Sequence, residues 1–183
     1  MARVPRMIVF DLDACVWFPE MYMLMGGGGA PFEFDAARNV ATDRQGEEVK
    51  LLGAIPQIFE TLRADPRFAE CQVAIASRSD EPAWARTLLE TFETAPDAGG
   101  ATRKLSSVLA PACVQIHKGS KKTHFAEIRE ASGVPFDEMV FFDDDPANIR
   151  DVAPLGVVCQ LTPDGVTAAA WEAALGAYAK ARP

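Results

Sequence analysis

Five short apolar segments, separated by stretches with helical spacing, constrain the fold of this chain most. The predicted strands cover residues 7–10, 73–76, 112–116, 139–142 and 157–161. Apolar side chains at helical spacing predict helices over residues 55–64, 81–94, 146–152 and 166–180, and one more that ends near residue 132. Strands that alternate with helices form a parallel sheet with helices on both faces. We therefore predict an α/β fold with a parallel sheet between two helical layers.

The length and charge of the chain limit its domain count and its function classes. Its 183 residues fit one domain with a substantial core, so we predict a single domain over residues 1–183. The net charge of -8 disfavours a nucleic-acid surface, and the Lys and Arg residues are scattered rather than clustered. No apolar run reaches the length of a membrane span. We expect a protein that binds neither nucleic acid nor a membrane.

The cysteines and the first residues bear on the cellular compartment. Cys15, Cys71, Cys113 and Cys159 show no CxxC spacing, which indicates reduced thiols rather than a zinc site. Residues 1–6 contain two arginines but lack the apolar segment of a signal peptide. We therefore predict a cytoplasmic protein.

The first predicted strand ends in two carboxylates. Residues 7–10 are Met, Ile, Val and Phe, a pattern typical of a strand buried on both faces, and Asp11 and Asp13 follow it closely. If the backbone stays extended, side chains two residues apart point to the same side. Both carboxylates could then face one cation or one reacting group. Two negative charges so close together would destabilise the folded protein unless a positive charge lay nearby.

Further polar residues follow the later predicted strands. Ser77 follows the second strand, and Asp143 and Asp144 follow the fourth. In open parallel sheets, ligands bind beyond the carboxyl ends of the strands, beside the point where the strand order reverses. We therefore expect these side chains to meet Asp11 and Asp13 at one edge of the sheet.

The segment between the first strand and the first helix, at about residues 17–52, is predicted to be a loop and hairpin insertion. Residues 40–42 and 48–51 have strand character, and the turn between them predicts a small hairpin. Before the hairpin lies a run of glycines, Gly26 to Gly29, which we expect to be a mobile loop beside the site. The Met and Tyr residues at positions 21–25 could line a pocket or cover the sheet.

Converging carboxylates indicate a bound cation and phosphate chemistry. Several carboxylates at one place repel one another, and a divalent cation is the simplest remedy. Oxygen ligands without His or Cys favour Mg²⁺ over zinc. The Ser77 hydroxyl and the Lys121 ammonium could complete a phosphate cradle. One carboxylate would then be free to attack phosphorus, and a second could transfer protons.

Together these motifs resemble those of the haloacid dehalogenase superfamily, whose members share a Rossmann-like core and mostly perform magnesium-dependent phosphoryl transfer. The matching residues are Phe10-Asp11-Leu12-Asp13, Ser77, Lys121 and Phe142-Asp143-Asp144. A narrower similarity, to the magnesium-dependent phosphatase-one (acid phosphatase) family, covers roughly residues 9–158 and includes Trp17. The resemblance implies a three-layer Rossmann-like sheet without a large cap, whose place the predicted hairpin would take.

The resemblance also implies roles at a metal site. Asp11 would be the nucleophile that forms an aspartyl phosphate, and Asp13 would be the general acid and base. The side chains of Asp11 and Asp143 would bind Mg²⁺, as would the carbonyl oxygen of Asp13. Asp144 would act nearby, often through water.

The phosphate-binding residues have simpler interpretations that stay open. The resemblance implies that Ser77 holds the phosphoryl group and that Lys121 neutralises this group and the nucleophile. From the sequence alone, Ser77 could cap a turn, and Lys121 could be a solvated lysine like Lys118 or Lys122. Arg78 could contact the substrate or form an exposed ion pair.

Three residues near the motifs have local interpretations. His124, about one turn into a helix, is expected to pack or cap rather than to act in catalysis. Asp145 is expected to cap the helix that starts at Pro146. Asn148 is expected to orient the acidic loop.

The predicted function is a magnesium-dependent phosphomonoester hydrolase. Its substrate would be a phosphorylated small molecule such as a sugar phosphate, a phosphotyrosine-type aryl phosphate, or a phosphoprotein. One departure from the resemblance is Cys15, which stands where the superfamily usually has Thr and offers only a weak donor. The alternatives are transfer of phosphorylated acyl groups to a carrier protein, or a metal- and phosphate-binding module that Cys15 has weakened in catalysis. The oligomeric state stays open.

Overall fold

The computed structural model describes residues 3–181, and it contains nine strands and five α-helices in that range. The strands are β1 Met7–Phe10, β2 Trp17–Phe18, β3 Glu33–Asp35, β4 Val40–Thr42, β5 Glu48–Leu51, β6 Gln72–Ser77, β7 Val114–Ile116, β8 Met139–Asp143 and β9 Val158–Leu161. The helices are α1 Ile55–Ala64, α2 Pro82–Thr91, α3 Lys121–Ser132, α4 Pro146–Val152 and α5 Ala168–Ala181. Within residues 3–181, every helix is too short or too polar to cross a membrane.

The main sheet has five parallel strands in the order β7-β6-β1-β8-β9. From β1 the chain moves outward through β6 and β7, and it then returns to the other side of β1 to form β8 and β9. The strand order therefore reverses between β1 and β8. The carboxyl ends of these two strands flank the place where open α/β sheets bind their ligands.

The sheet lies between two helical layers, as its alternating side chains require. Ile8 and Phe10 of β1 pack in one core cluster with residues of α1, α2 and α5. Met7 and Val9 pack in a second cluster with residues of α3 and α4. The predicted three-layer α/β fold is therefore confirmed. The strands are continuous apolar runs because both of their faces are buried.

The bounds of α2 differ from those of the predicted helix over residues 81–94. Its N-cap is Glu81, whose side chain makes no capping hydrogen bond. Pro82 occupies the first helical position, where a missing N–H costs nothing. The helix also ends at Thr91, three residues before its predicted end, and Phe92 continues in an extended conformation.

The insertion after β1 forms a second, antiparallel sheet with the order β2-β5-β4-β3. It contains the predicted hairpin, β4 and β5, but it also has two strands that we did not predict. These strands, β2 and β3, are two and three residues long, too short for a clear alternating pattern. Among the described residues this small sheet takes the place of a large cap.

Aromatic contacts attach the insertion to α2 and to Phe92, the residue that follows this helix. The ring of Phe92 lies 6.2 Å from that of Trp17 and 6.3 Å from that of Phe34. Phe32 meets Trp84 edge to face at 6.4 Å. These pairs bury large apolar surfaces, so the insertion is anchored beside the main sheet rather than loosely attached to it.

The predicted loop of glycines, Gly26 to Gly29, is packed against the protein at one end. Gly28 and Gly29 are buried, whereas Gly26 and Gly27 are exposed. The Gly29 N–H donates to Asp43 Oδ2 at 2.8 Å, and the Gly29 carbonyl accepts from the Arg44 N–H at 3.2 Å. Gly29 has a φ of +77°, and a Cβ added there would overlap the Trp84 ring.

Gly29→Ala should therefore lower the free energy of unfolding by about 1–3 kcal/mol, because it adds overpacking to backbone strain. Gly26→Ala is the matched control, since Gly26 also has a positive φ, +102°, but has open space around it. Urea unfolding of both variants measures the difference. An equal loss at the two positions would contradict the packing against Trp84.

Candidate active site

One pocket opens at the carboxyl ends of β1, β6 and β8. Its wall contains most of the predicted site residues, together with side chains from the insertion and from the loop before α3. The lining residues are Asp11, Asp13, Glu20, Tyr22, Ser77, Arg78, Ser79, Asp80, Lys118, Gly119, Lys121, Asp144, Asp145 and Asn148. Asp143, the remaining predicted residue, is fully buried. The sheet edge thus brings the predicted residues together.

Asp11 occupies the centre of this arrangement. Its backbone N–H continues the sheet pattern by donating to the Phe142 carbonyl at 2.9 Å. Its side chain is almost fully buried, and its Oδ1 lies 2.6 Å from Lys121 Nζ. Burial raises the pKa of Asp11 to about 7; the Lys121 ammonium opposes this rise, and the charge of Asp143 adds to it.

Lys121 is the buried cation of the site. It is the first residue of α3, and the preceding Ser120 caps that helix by accepting a hydrogen bond from the Lys122 N–H at 3.1 Å. Lys121 Nζ donates to Asp11, to the Ala76 carbonyl and to Asp143 Oδ2 at 3.0 Å. Burial favours the neutral amine, but the two carboxylates prevail and raise the pKa of Lys121.

The other two candidate lysines lie elsewhere. Lys118 Nζ forms an exposed ion pair with Asp80 Oδ1 at 2.7 Å on the pocket wall. Lys122 is exposed on α3. The structure thus places Lys121, and neither of its neighbours, against the carboxylates.

The loop after β8 holds Asp143 in place from several sides. Asn148 Nδ2 lies 3.0 and 3.1 Å from the two oxygens of Asp143, and the Asp145 N–H donates to Asp143 Oδ1 at 2.8 Å. Asp145 also caps α4 through the Ala147 N–H at 2.7 Å, as expected. Asp144 is half-buried, and burial together with the nearby Asp143 charge raises the pKa of its carboxyl.

Three of these carboxylates form a set that suits a divalent cation. One oxygen from each of Asp11, Asp143 and Asp144 lies within 4.8 Å of the others. Lys121 supplies one positive charge against these three groups, and the raised pKa values of Asp11 and Asp144 are consistent with the remaining negative charge. Carboxylate oxygens with no nitrogen or sulfur donor fit Mg²⁺ best.

The Asp13 carboxylate stands apart from this set. Its Oδ1 accepts a 2.8 Å hydrogen bond from Trp17 Nε1. Burial raises the pKa of Asp13, while the bonds from Trp17, from the Ser79 side chain and from the Met21 N–H oppose this rise. Of the four predicted metal ligands, Asp13 is therefore the one whose carboxylate lies outside the set, and metal binding through its carbonyl oxygen stays a prediction.

A tight turn brings Trp17 back to Asp13. The N–H groups of Cys15, Val16 and Trp17 all point to the Leu12 carbonyl, at 3.2, 2.7 and 3.2 Å. This chain reversal also places the Ala14 N–H 2.9 Å from the Trp17 carbonyl. The extended course that we considered for the chain beyond Phe10 therefore ends within this turn.

The end of β6 forms another part of the pocket wall. Ser77 is buried, and its Oγ accepts from the Ser79 N–H at 3.2 Å. The Ser77 carbonyl accepts from the His117 N–H at 3.1 Å, and His117 in turn is bound through its carbonyl by the buried His124 ring at 2.9 Å. Arg78 is exposed on the pocket wall. His124 therefore packs behind the loop and stays outside the pocket.

Two pocket residues from the insertion, Glu20 and Tyr22, were not predicted as site residues. Tyr22 belongs to the Met and Tyr cluster at positions 21–25, for which a pocket or a covering role was left open. The structure divides this cluster. Met21 and Leu24 are buried in the core, whereas Tyr22 lies exposed at the pocket.

Cys15 links the loops that carry the acids. Its Sγ lies 3.5 Å from the Phe142 carbonyl and 3.5 Å from Thr162 Oγ1. The Thr162 N–H donates to the Asp143 carbonyl at 2.9 Å. Burial raises the pKa of the Cys15 thiol, so the thiol stays protonated. Through these two contacts Cys15 connects the turn after β1 to the ends of β8 and β9.

Two known proteins are similar in sequence to this chain over most of their length. A human protein named Magnesium-dependent phosphatase 1 is 32% identical over 182 residues, which cover 100% of this chain and 92% of the relative. A HAD-like hydrolase superfamily protein of Schizosaccharomyces pombe is 32% identical over 158 residues, covering 84% of this chain and 83% of its own.

A solved structure and a family model complete the comparison. The N-terminal part of a Bacteroides fragilis protein, described as containing a phosphatase domain complexed with Mg, matches with a TM-score of 0.56 at 17% identity. The match covers 88% of this chain and only 37% of the solved chain, and it shows a shared fold. The model of the family described as Acid Phosphatase matches residues 3–181. This chain belongs to the acid phosphatase family.

Proposed function

We propose that this chain is a magnesium-dependent phosphomonoester hydrolase that forms an aspartyl phosphate on Asp11. The position of the Asp11 carboxylate carries the proposal. This group lies 2.6 Å from Lys121 Nζ, close to Asp143 and Asp144, on the wall of an open pocket. A buried carboxylate beside a fixed cation is suited to attack a phosphoryl group whose negative charge the same cation offsets.

In the first step, an Asp11 oxygen forms a bond to phosphorus while the bond from phosphorus to the leaving oxygen breaks. The electron pair of the broken bond goes to the leaving oxygen, and the carboxyl proton of Asp13 goes to the same atom. The alcohol leaves, and the phosphoryl group stays on Asp11. The raised pKa of Asp13 favours the protonated form that this step requires.

In the second step, water attacks the phosphorus of the aspartyl phosphate. The Asp13 carboxylate accepts a proton from the water, and the bond between phosphorus and Asp11 breaks with its electron pair returning to Asp11. Inorganic phosphate leaves, and both carboxyl groups regain their initial states. In both steps Ser77 would bind the phosphoryl oxygens, and the charge of Lys121, held beside Asp11, would offset their negative charge.

Mg²⁺ is supported by the carboxylate set and by the name of the human relative, a magnesium-dependent phosphatase. When bound by Asp11, Asp143 and Asp144, it would offset negative charge on the phosphoryl oxygens. Asn148 and the Asp145 N–H hold Asp143 ready for this role.

The substrate would be a phosphorylated small molecule, such as a sugar phosphate, or an aryl phosphate of the phosphotyrosine type. Arg78, Tyr22 and Glu20 on the pocket wall would contact the part of the substrate beyond the phosphate. The open pocket also leaves room for a phosphoprotein side chain. A cytoplasmic location stays a prediction.

Metal removal tests the proposal directly. With 4-nitrophenyl phosphate, we expect the protein to release nitrophenol and phosphate in Mg²⁺ and to lose at least about 99% of this activity in EDTA, because a carboxylate set without its cation repels the phosphate. Added Mg²⁺ should restore it. Release that persists in EDTA would contradict the proposal. Calorimetric Mg²⁺ binding without any release would instead support a non-catalytic binding module.

A further inference from the structure

The hydrogen bond from Trp17 to Asp13 links the insertion sheet to the proton-transferring carboxylate. Trp17 is completely buried, and its Nε1–H donates to Asp13 Oδ1 at 2.8 Å. An indole ring has one N–H donor and no acceptor, and in Trp17 this donor is directed at Asp13. Asp13 in turn lines the pocket.

The insertion sheet holds the indole ring in place. Trp17 is the first residue of β2 and pairs with Leu51 of β5. Its ring lies 6.2 Å from the ring of Phe92, which is also fully buried. The turn around the Leu12 carbonyl determines the other end of the short segment between Asp13 and Trp17. The indole N–H therefore has little freedom to move away from Asp13.

We propose that Trp17 is a positioning residue that orients the Asp13 carboxyl for proton transfer to the leaving oxygen. The inference rests on the proposed function. It also gives the insertion sheet a role in proton transfer, in addition to forming part of the pocket wall. General acid catalysis requires the donor to lie within hydrogen-bond reach of the leaving oxygen in the correct direction. A carboxyl group with one oxygen held by a buried donor keeps that direction.

Other groups share the task, and this sets the size of the expected effect. The Ser79 side chain and the Met21 N–H also interact favourably with the Asp13 carboxylate. Loss of the indole donor should therefore misorient the carboxyl without freeing it completely. We expect a loss of about 10-fold to 100-fold in the step that uses the proton, within the range of a general acid's contribution.

Leaving-group dependence separates positioning from a merely structural role. The alcohol of an alkyl phosphate is a poor leaving group that needs the proton, whereas 4-nitrophenolate leaves without one. For Trp17→Phe in Mg²⁺, kcat/KM for an alkyl phosphate should fall about 10-fold to 100-fold, and for 4-nitrophenyl phosphate by less than about 3-fold. The ratio kcat/KM is the correct quantity, because it reports the first chemical step when phosphorylation of Asp11 is irreversible.

Two further variants keep the test decisive. Phe32→Leu weakens the edge-to-face contact between the insertion and Trp84 but leaves Trp17 and Phe92 in place, so it should change kcat/KM for both substrates by the same factor. Trp17→Leu is a second variant without the donor, for use at low temperature if circular dichroism shows that Trp17→Phe does not fold. It should show the same dependence on the leaving group.

Each possible result with the Trp17 variants supports or contradicts the positioning role of Trp17. Equal losses of kcat/KM for the two substrates, or no loss, in a folded Trp17 variant would overturn the positioning role while leaving the proposed function intact. A wild-type protein that hydrolyses neither substrate in Mg²⁺ would overturn both. A selective loss with the alkyl phosphate, absent from Phe32→Leu, would support the role of Trp17.

Discussion

Asp11→Asn is expected to lower magnesium-dependent phosphate release by at least about 10⁴-fold, because an amide cannot form the aspartyl phosphate and a lost nucleophile typically costs this much or more. The substitution keeps the size of the side chain, so the fold should persist. Phosphate release and circular dichroism measure the two results. Asp151→Asn, at an exposed position on α4, is the matched control and should keep full activity.

The same variant should make the metal-free protein more stable above neutral pH. The pKa of Asp11 rises from 3.8 to about 7 on folding, so the folded protein binds this proton more tightly than the unfolded chain does. The free energy of unfolding therefore falls as the pH rises through this window. Asparagine removes that loss. Thermal unfolding in EDTA at pH 5 and pH 8 should show a gain for Asp11→Asn that is larger at pH 8.

Two results would contradict the assignment of Asp11. Full hydrolysis by Asp11→Asn in Mg²⁺ would show that another group attacks phosphorus. A variant that is less stable than wild type at pH 8 in EDTA would show that the bond to Lys121 outweighs the burial of the charge. The activity and stability results are independent, so each tests a different part of the argument.

The main sheet could be predicted from the sequence because its strands carry an unambiguous signal. β1, β6 and β8 are nearly continuous apolar runs, and each is followed by a polar residue or a turn. Burial on both faces produces this pattern in parallel sheets. The strands β2 and β3 lack it, because they are very short and their places depend on pairing with β5 and β4.

The site, like the fold, contains residues that local sequence patterns predict and residues whose positions depend on contacts between distant segments. Asp11, Ser77 and Asp143 could be placed together because each lies at the carboxyl end of a strand of one parallel sheet, and the carboxyl ends of such strands share an edge. Trp17 reaches Asp13, and Tyr22 reaches the pocket, from the insertion. The position of the insertion depends on its packing against Phe92 and α2, which local sequence patterns do not determine.

Lys121→Met is expected to have the second large effect, on both stability and activity. Lys121 Nζ is the buried cation that contacts Asp11 at 2.6 Å and Asp143 at 3.0 Å. Removing one partner of a buried ion pair leaves uncompensated charge and typically costs about 3–5 kcal/mol. We expect such a loss in EDTA, and a smaller one when Mg²⁺ supplies the missing positive charge. Urea unfolding under both conditions measures it.

The activity of Lys121→Met should fall about 10²-fold to 10³-fold even in saturating Mg²⁺, because the phosphoryl oxygens lose a fixed positive charge. Lys122→Met, at the exposed neighbouring position, should change stability by less than about 0.5 kcal/mol and leave activity unchanged. The double variant Lys121→Met with Asp11→Asn should recover part of the lost stability, since the carboxylate left without its cation is then gone. Losses that simply add in the double variant would contradict direct coupling between Asp11 and Lys121.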